Sequence, residues 1–184
     1  LDEIIDLLLE KKANPNIANN ENEIPLSLAY LGKNEGLIKK LLYYRADPNV
    51  EIRSGECLVQ IAATKQNFSI FGYLRNVNFD PNIKGAGGNT PLHFAVFSKI
   101  KKNKTDHRDL MVKKLLKVGA DINAQNDIGF TAAHYATGLV KPETLDILVE
   151  DKNLNPFLVT KQKKTILHTA VESGRKNSVQ TIAS

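Results

Sequence analysis

The sequence predicts an all-α fold: a solenoid of stacked units, each pairing two helices. Three observations carry that prediction. One stretch, Asn89-Thr90-Pro91-Leu92-His93-Phe94-Ala95-Val96, recurs in degraded copies whose starts fall at 24, 57, 90, 131 and 165. The spacings are 33, 33, 41 and 34 residues, and a period near 33 marks an array of stacked units. Each copy is followed by a second apolar run at helical spacing. The closing loops keep the same clock, with Asn16, Asn49, Asn82 and Asn123 at intervals of 33, 33 and 41.

Composition agrees. The 184 residues are 42% hydrophobic and 24% charged, and a repeat array needs no single central core because each unit packs on its neighbours. The longest apolar runs, such as Leu7-Leu8-Leu9, fall far short of the roughly 20 residues that span a bilayer. The single cysteine, Cys57, excludes an internal disulfide and any metal site built on paired cysteines. It favours, weakly, a reducing intracellular setting, cytoplasmic or nuclear. A net charge of +5 permits an acidic partner without calling for nucleic acid. The tripeptides Asn67-Phe68-Ser69 and Asn103-Lys104-Thr105 match a glycosylation sequon, a pattern common by chance.

The elements follow in order. Residues 1–23 read as the second half of a unit: Leu1, Ile4, Ile5, Leu8 and Leu9 form one helical stripe, which Ala13-Asn14-Pro15-Asn16 ends because Pro15 cannot continue a helix. Residues 24–56 open with Pro25 in the first helical turn, where its missing N–H is harmless. Leu26, Leu28, Ala29 and Leu31 make the first helix apolar; Leu37, Ile38, Leu41 and Leu42 mark the second, and Ala46-Asp47-Pro48-Asn49 closes it. In 57–89, Ile61, Ala62 and Ala63 are followed by Ile70, Phe71 and Leu74. In 90–130 the second helix holds Leu115 and Leu116, and in 131–164 it holds Leu145, Leu148 and Val149. Residues 165–184 begin a further unit. Gly55, Gly88 and Gly129 stand two residues before an opening motif, where the turn calls for positive φ; Asn22 suits that position and Lys163 suits it less.

On these residues the chain resembles the ankyrin-repeat family, whose unit reads G-x-T-P-L-H-x-A-A-x-x-G, a second helix ending in L-L, then G-A-D-x-N. The nearest copy is Gly88-Asn89-Thr90-Pro91-Leu92-His93-Phe94-Ala95 with Leu115-Leu116-Lys117-Val118-Gly119-Ala120-Asp121-Ile122-Asn123. The resemblance implies antiparallel helix pairs stacked into a curved solenoid, with hairpin tips near 19–21, 52–54, 85–87, 126–128 and 160–162. It also implies that Thr90, Pro91, Leu92, His93, Thr131, His134, Thr165 and His168 are structural, the histidines bonding the opening turn to neighbouring backbone. Ser27 and Gln60 stand where the family has His, and Phe157 where it has Asn. Those units are expected to be less regular. The chain is expected to be part of a longer array, four complete units between two halves, and monomeric as an isolated domain.

No catalytic, metal-ligating or cofactor-binding residue is assigned. His93, His134 and His168 recur one unit apart and so do not converge on a reacting centre. Asp47, Asp80 and Asp121 read as turn formers bonding their own backbone. Gly85-Ala86-Gly87-Gly88 lacks the Lys-Ser/Thr of a phosphate loop and reads as a hairpin tip. Cys57 has no activating neighbour in the sequence.

The 41-residue unit departs from the period. Its eight additional residues fall within 98–109, which carry Lys99, Lys101, Lys102, Lys104 and Arg108 against Asp106 and Asp109. Such a loop is either a tolerated surface insertion or a contact for an acidic partner, be it peptide, phosphate or lipid headgroup. The resemblance implies a non-enzymatic scaffold that binds another protein through a concave groove and its hairpin tips. Candidate contacts are Tyr30, Leu31, Ile52, Arg53, Lys84, Ala86, Phe97, Gln125, Asp127, Ile128 and Leu139 together with the insertion's basic residues. The alternatives are a regulatory or targeting segment of a larger enzyme, channel or effector, and a nucleic-acid or anionic-lipid contact through the insertion.

Overall fold

A computed structural model of the chain describes residues 2–98, 105–139 and 143–174. Helices stand where the repeated sequences place them. They are α1 (Asp2–Glu10), α2 (Pro25–Leu31), α3 (Glu35–Tyr43), α4 (Leu58–Lys65), α5 (Phe68–Leu74), α6 (Pro91–Phe97), α7 (Arg108–Lys117), α8 (Ala132–Ala136), α9 (Glu143–Val149) and α10 (Ile166–Ser173). Strands β1 (Glu51–Arg53) and β2 (Glu56–Cys57) pair antiparallel. The fold is all-α in class. The chain divides into two compact units, one formed by residues 1–59 with 68–79 and the other by 60–67 with 80–184.

In the first unit α3 is the centre, packed on both α2 and α5. Its Ile38, Leu41 and Leu42 recur at helical spacing and are buried with Leu26 of α2 and with Ile70, Phe71 and Leu74 of α5. Phe71 meets Phe79 edge-on at 6.0 Å between ring centroids. Asn34 caps α3 by accepting the Leu37 N–H at 2.9 Å. The apolar stripe of α1 is only partly used: Leu9 is buried, whereas Ile4, Leu7 and Leu8 stay more than half exposed. The Leu9 side of α1 faces α3, and Asp6 holds Lys40 there at 2.5 Å.

The second unit shows the repeat most regularly. First helices pack on first helices, α6 on α8 and α8 on α10, while the second helices α7 and α9 pack on each other. Small buried residues, Ala95, Ala132, Ala133, Ala136 and Ala170, let the first helices approach closely. Leu92, Met111, Val112, Leu115, Leu145, Leu148 and Ile166 fill the space behind them.

The hairpin loops close one residue later than the sequence suggests. N–H to carbonyl bonds run from Asn19 to Glu23, Gly85 to Asn89, Asn126 to Phe130 and Thr160 to Lys164, each at 2.9 Å, so the enclosed tips are 20–22, 86–88, 127–129 and 161–163. The last residue of each tip is left-handed and sets the closure: φ is 62° at Asn22, 69° at Gly88, 79° at Gly129 and 60° at Lys163. In the β1–β2 hairpin both Ser54 and Gly55 are left-handed, which matches strand twist.

Gly129 is doubly constrained. Besides its φ, a Cβ there would lie 2.9 Å from both the Lys161 amide nitrogen and Thr160 Cα. Gly129→Ala is therefore expected to lower stability by about 2 kcal/mol or more, from left-handed strain and backbone overlap. Lys163→Gly, relieving strain at the equivalent position, is expected to be neutral or to stabilise by up to about 1 kcal/mol after its entropic cost. Denaturant midpoints of the two variants check both signs.

Candidate functional site

The opening motif builds a two-ended connector. The Thr90 N–H donates to His93 Nδ1 at 3.1 Å, capping the helix start, and this donor leaves the ring proton on Nε2. Nε2 then donates to the Phe130 carbonyl at 2.9 Å, just before the next opening motif. His134 repeats the arrangement: its Nδ1 accepts from the Thr131 N–H at 3.2 Å and its Nε2 reaches the Lys164 carbonyl at 3.2 Å. At the last motif Thr165 N–H donates to His168 Nδ1 at 3.3 Å.

Gln60 occupies the same slot and makes the same bridge. Its Nε2 donates to the carbonyls of Asn89 at 3.2 Å and Ile83 at 3.0 Å. Asn89, Phe130 and Lys164 are equivalent positions, each one residue before a motif. The expected irregularity at Gln60 is thus absent from this bond, because an amide on a longer stem reaches the carbonyl an imidazole would reach. Ser27 is too short for that. Its hydroxyl accepts the Ile24 N–H at 3.1 Å and donates to the Ile24 carbonyl at 2.7 Å, stitching only its own turn.

A second ladder runs through the closing loops. Within the first unit Asn16 donates to the Arg45 carbonyl at 3.0 Å and accepts the Asp47 N–H at 2.8 Å, and Asn49 donates to the Asn78 carbonyl at 3.4 Å. Within the second, Asn82 joins Gly119 and Asp121 at 3.1 and 2.7 Å, and Asn123 joins Asn153 and Asn155 at 2.7 and 2.8 Å. Asp47, Asp80 and Asp121 accept the N–H two residues on, at 2.8 to 2.9 Å, as turn formers do. Asn155 makes the corresponding bond to Phe157 at 3.0 Å, so the loop with Phe157 keeps its turn.

These connectors leave the histidines unsuited to acid–base work. Burial, the largest cause, lowers the pKa of both His93 and His134 from the usual 6.5, and the Lys84 ammonium adds to the effect at His93. The backbone carbonyl at each Nε2 opposes it. Protonation would place an N–H at Nδ1 against the capping amide N–H, removing the acceptor that the helix start requires.

The candidate contact residues have different fates. In α2, Leu31 is 52% exposed and Tyr30 half-buried. Arg53 is exposed on β1, but Ile52, expected at an exposed tip, is 7% exposed because alternation along the strand turns it inward. In the second unit Ala86, Asp127 and Ile128 stand exposed at successive tips, which are joined by the Asp127 N–H to the Gly87 carbonyl at 3.0 Å. Lys84 is exposed and donates to the Gln125 carbonyl at 3.3 Å. Gln125 is half-buried, its amide donating to Gly129 and Val159 carbonyls at 2.8 and 2.9 Å. Phe97 is half-buried against Phe94 and Tyr135, at 5.2 and 5.1 Å between centroids, and Leu139 is half-buried after α8. Asn126 donates to the Tyr135 hydroxyl at 2.9 Å, fixing that ring.

The insertion is corrected at its far end. Arg108 begins α7 and folds back: its Nη2 donates to the Ser98 carbonyl at 2.9 Å, Asp106 lies 3.6 Å from Nη1, and the side chain is 12% exposed. Gln66 clamps the same segment, donating to Asp106 at 3.0 Å and accepting the His107 N–H at 2.7 Å. Asp109 accepts a hydrogen bond from Thr144 of α9. Arg108 is a strut rather than a projecting cation. Lys99, Lys101, Lys102 and Lys104 lie outside the described residues. Among the described residues no helix is long and apolar enough to cross a membrane, and no group of three His, Cys, Asp or Glu side chains is placed to hold a metal ion.

Sequence reasoning missed the Gln60 bridge and a cleft of about 460 Å³ in the first unit between α3 and α5. The available signal for the cleft was Tyr43 and Tyr73, near one period apart at the ends of two second helices.

Residues 100–184 match the family model described as ankyrin repeats, in three copies. No curated protein matches the chain.

Neutral bridging histidines make stability depend on pH with a definite sign. Because the folded-state pKa values lie below 6.5, the unfolded chain binds protons first as pH falls. Stability is expected to hold above about pH 7 and to decline through the histidine range below it. His93→Gln is expected to reduce that decline. At pH 7.5 it should cost less than His93→Ala, which leaves the Phe130 carbonyl unbonded and loses about 2–4 kcal/mol. Urea titrations at two pH values check both statements.

Proposed function

We propose that this chain, which belongs to the ankyrin-repeat family, is a protein-binding scaffold without catalytic chemistry of its own. Ankyrin repeats are generally protein–protein interaction modules. The partner sits on the first-helix faces and hairpin tips of stacked units, the concave groove of a solenoid. The observation that supports this most is the lacing of successive tips in the second unit: Asp127 N–H to Gly87 carbonyl and Lys161 N–H to Ile128 carbonyl, both at 3.0 Å.

That lacing holds Ala86, Asp127 and Ile128 as an exposed row on backbone already ordered. Ile128 is 51% exposed, an apolar group of the kind interfaces cover. Pre-ordered tips lower the entropy lost on binding, so modest contact area gives useful affinity. Behind the row, Phe97, Phe130 and Tyr135 form a connected aromatic cluster, with centroids 5.0 to 5.1 Å apart, that stiffens the first helices.

The test compares the chain with the triple variant Ala86→Glu, Asp127→Lys, Ile128→Glu, all at exposed positions. Proteins retained from a lysate of the source cells by the parent chain should be lost by the variant. With the retained protein purified, Kd should weaken about tenfold or more, as for central contact residues. Circular dichroism and melting should be unchanged. Equal affinity for both chains rejects the tips as the binding surface.

A further inference from the structure

The first unit carries a cleft on the second-helix side that the tip-and-groove reading does not use. Its floor is apolar, from the buried Leu42 and Ala46 with the half-buried Val77. Tyr43 and Tyr73 line it with aromatic surface, and Lys39 and Arg45 add two cations to the lining. At about 460 Å³ it falls in the size range of side-chain and small-ligand pockets.

Several features mark it as a place of recognition. Tyr43 is 80% exposed, a large aromatic area held in place by an edge-on contact with Tyr44 at 5.3 Å. Lys39 lies with Nζ 5.6 Å from the centre of the Tyr73 ring, so the cation is positioned over that ring, without an acidic partner among the described residues. Arg45 is fixed by its left-handed backbone, φ 67°, where the N–H returns to the Leu42 carbonyl at 3.1 Å; its side chain is exposed. The one acid of the lining, Asp47, has a carboxylate oxygen on the Asn49 N–H at 2.9 Å. The Lys40–Asp6 ion pair is separate from the cleft lining.

Two cations without an ion pair among the described residues, beside an aromatic-lined, apolar-floored cleft, are complementary to one kind of occupant. We propose that this cleft binds an acidic linear peptide, one apolar side chain packing on Tyr43 and Tyr73 while flanking carboxylates meet Lys39 and Arg45. Arginine and lysine at exposed positions give a salt-sensitive attraction, and the aromatic lining supplies the desolvated contact. The site is independent of the hairpin tips, so loss of one leaves the other intact.

The test selects a displayed library of random peptides on the full chain and counter-selects on the variant Lys39→Glu, Tyr43→Ala, Arg45→Asn. All three positions are exposed, and Asn tolerates the left-handed backbone at 45, so the variant should keep its fold, checked by melting. Enriched peptides should carry Asp or Glu beside an aliphatic or aromatic residue. Their synthetic forms should bind the parent at least tenfold more tightly than the variant and weaken as salt rises. Replacing their carboxylates by amides should cause a similar loss. The proposal is overturned if no peptide separates parent from variant, or if those that do are neutral or basic. It is equally overturned if inorganic phosphate or phosphatidylserine vesicles, rather than peptide, are what the variant fails to bind.

Discussion

The second unit rests on a row of side chains that each bridge one repeat to the next. His93, His134 and Gln60 each sit in the first turn of a helix and each reach the backbone carbonyl one residue before the following motif. At His93 and His134 the bond joins local order to stacking: the turn that starts one helix and the approach to the next are held by the two nitrogens of one ring. Buried carbonyls left without this donor would carry a desolvation penalty, and Gln60 supplies the donor as the histidines do, whereas Ser27 bonds only its own turn.

The two ladders explain how the array tolerates its irregular members. One is made by the histidine and glutamine bridges, the other by the loop asparagines, and both bond backbone groups rather than particular side chains. Eight additional residues between α6 and α7 therefore leave the second unit's register intact. His93 still meets Phe130 and Asn82 still meets Gly119, at separations of 37 residues each. The insertion is itself tied down where it re-enters the helix, through Gln66, Asp106 and Arg108.

Legibility in the sequence followed the range of the interaction. Thr90, Pro91 and His93 were readable because a helix start is decided within four residues, and the positive φ at Asn22, Gly88 and Lys163 because a tight turn is as local. Ile52 and Arg108 were misplaced because exposure depends on what the rest of the chain lays against a residue. Gln60 stood out only as a departure, since nothing in its neighbourhood states which carbonyl lies within its reach.

The sequence by itself determined the helices, their pairing in a period near 33 residues and their resemblance to ankyrin repeats, because these depend on apolar spacing, capping and turn chemistry repeated along the chain. Only the tertiary structure decided that Gln60 serves as a histidine, that Arg108 is a strut, and that Tyr43 and Tyr73 line one cleft. Those outcomes depend on distances between residues about thirty or more positions apart, or on which nearby group a long side chain folds back to meet, and such distances exist only once the units have packed.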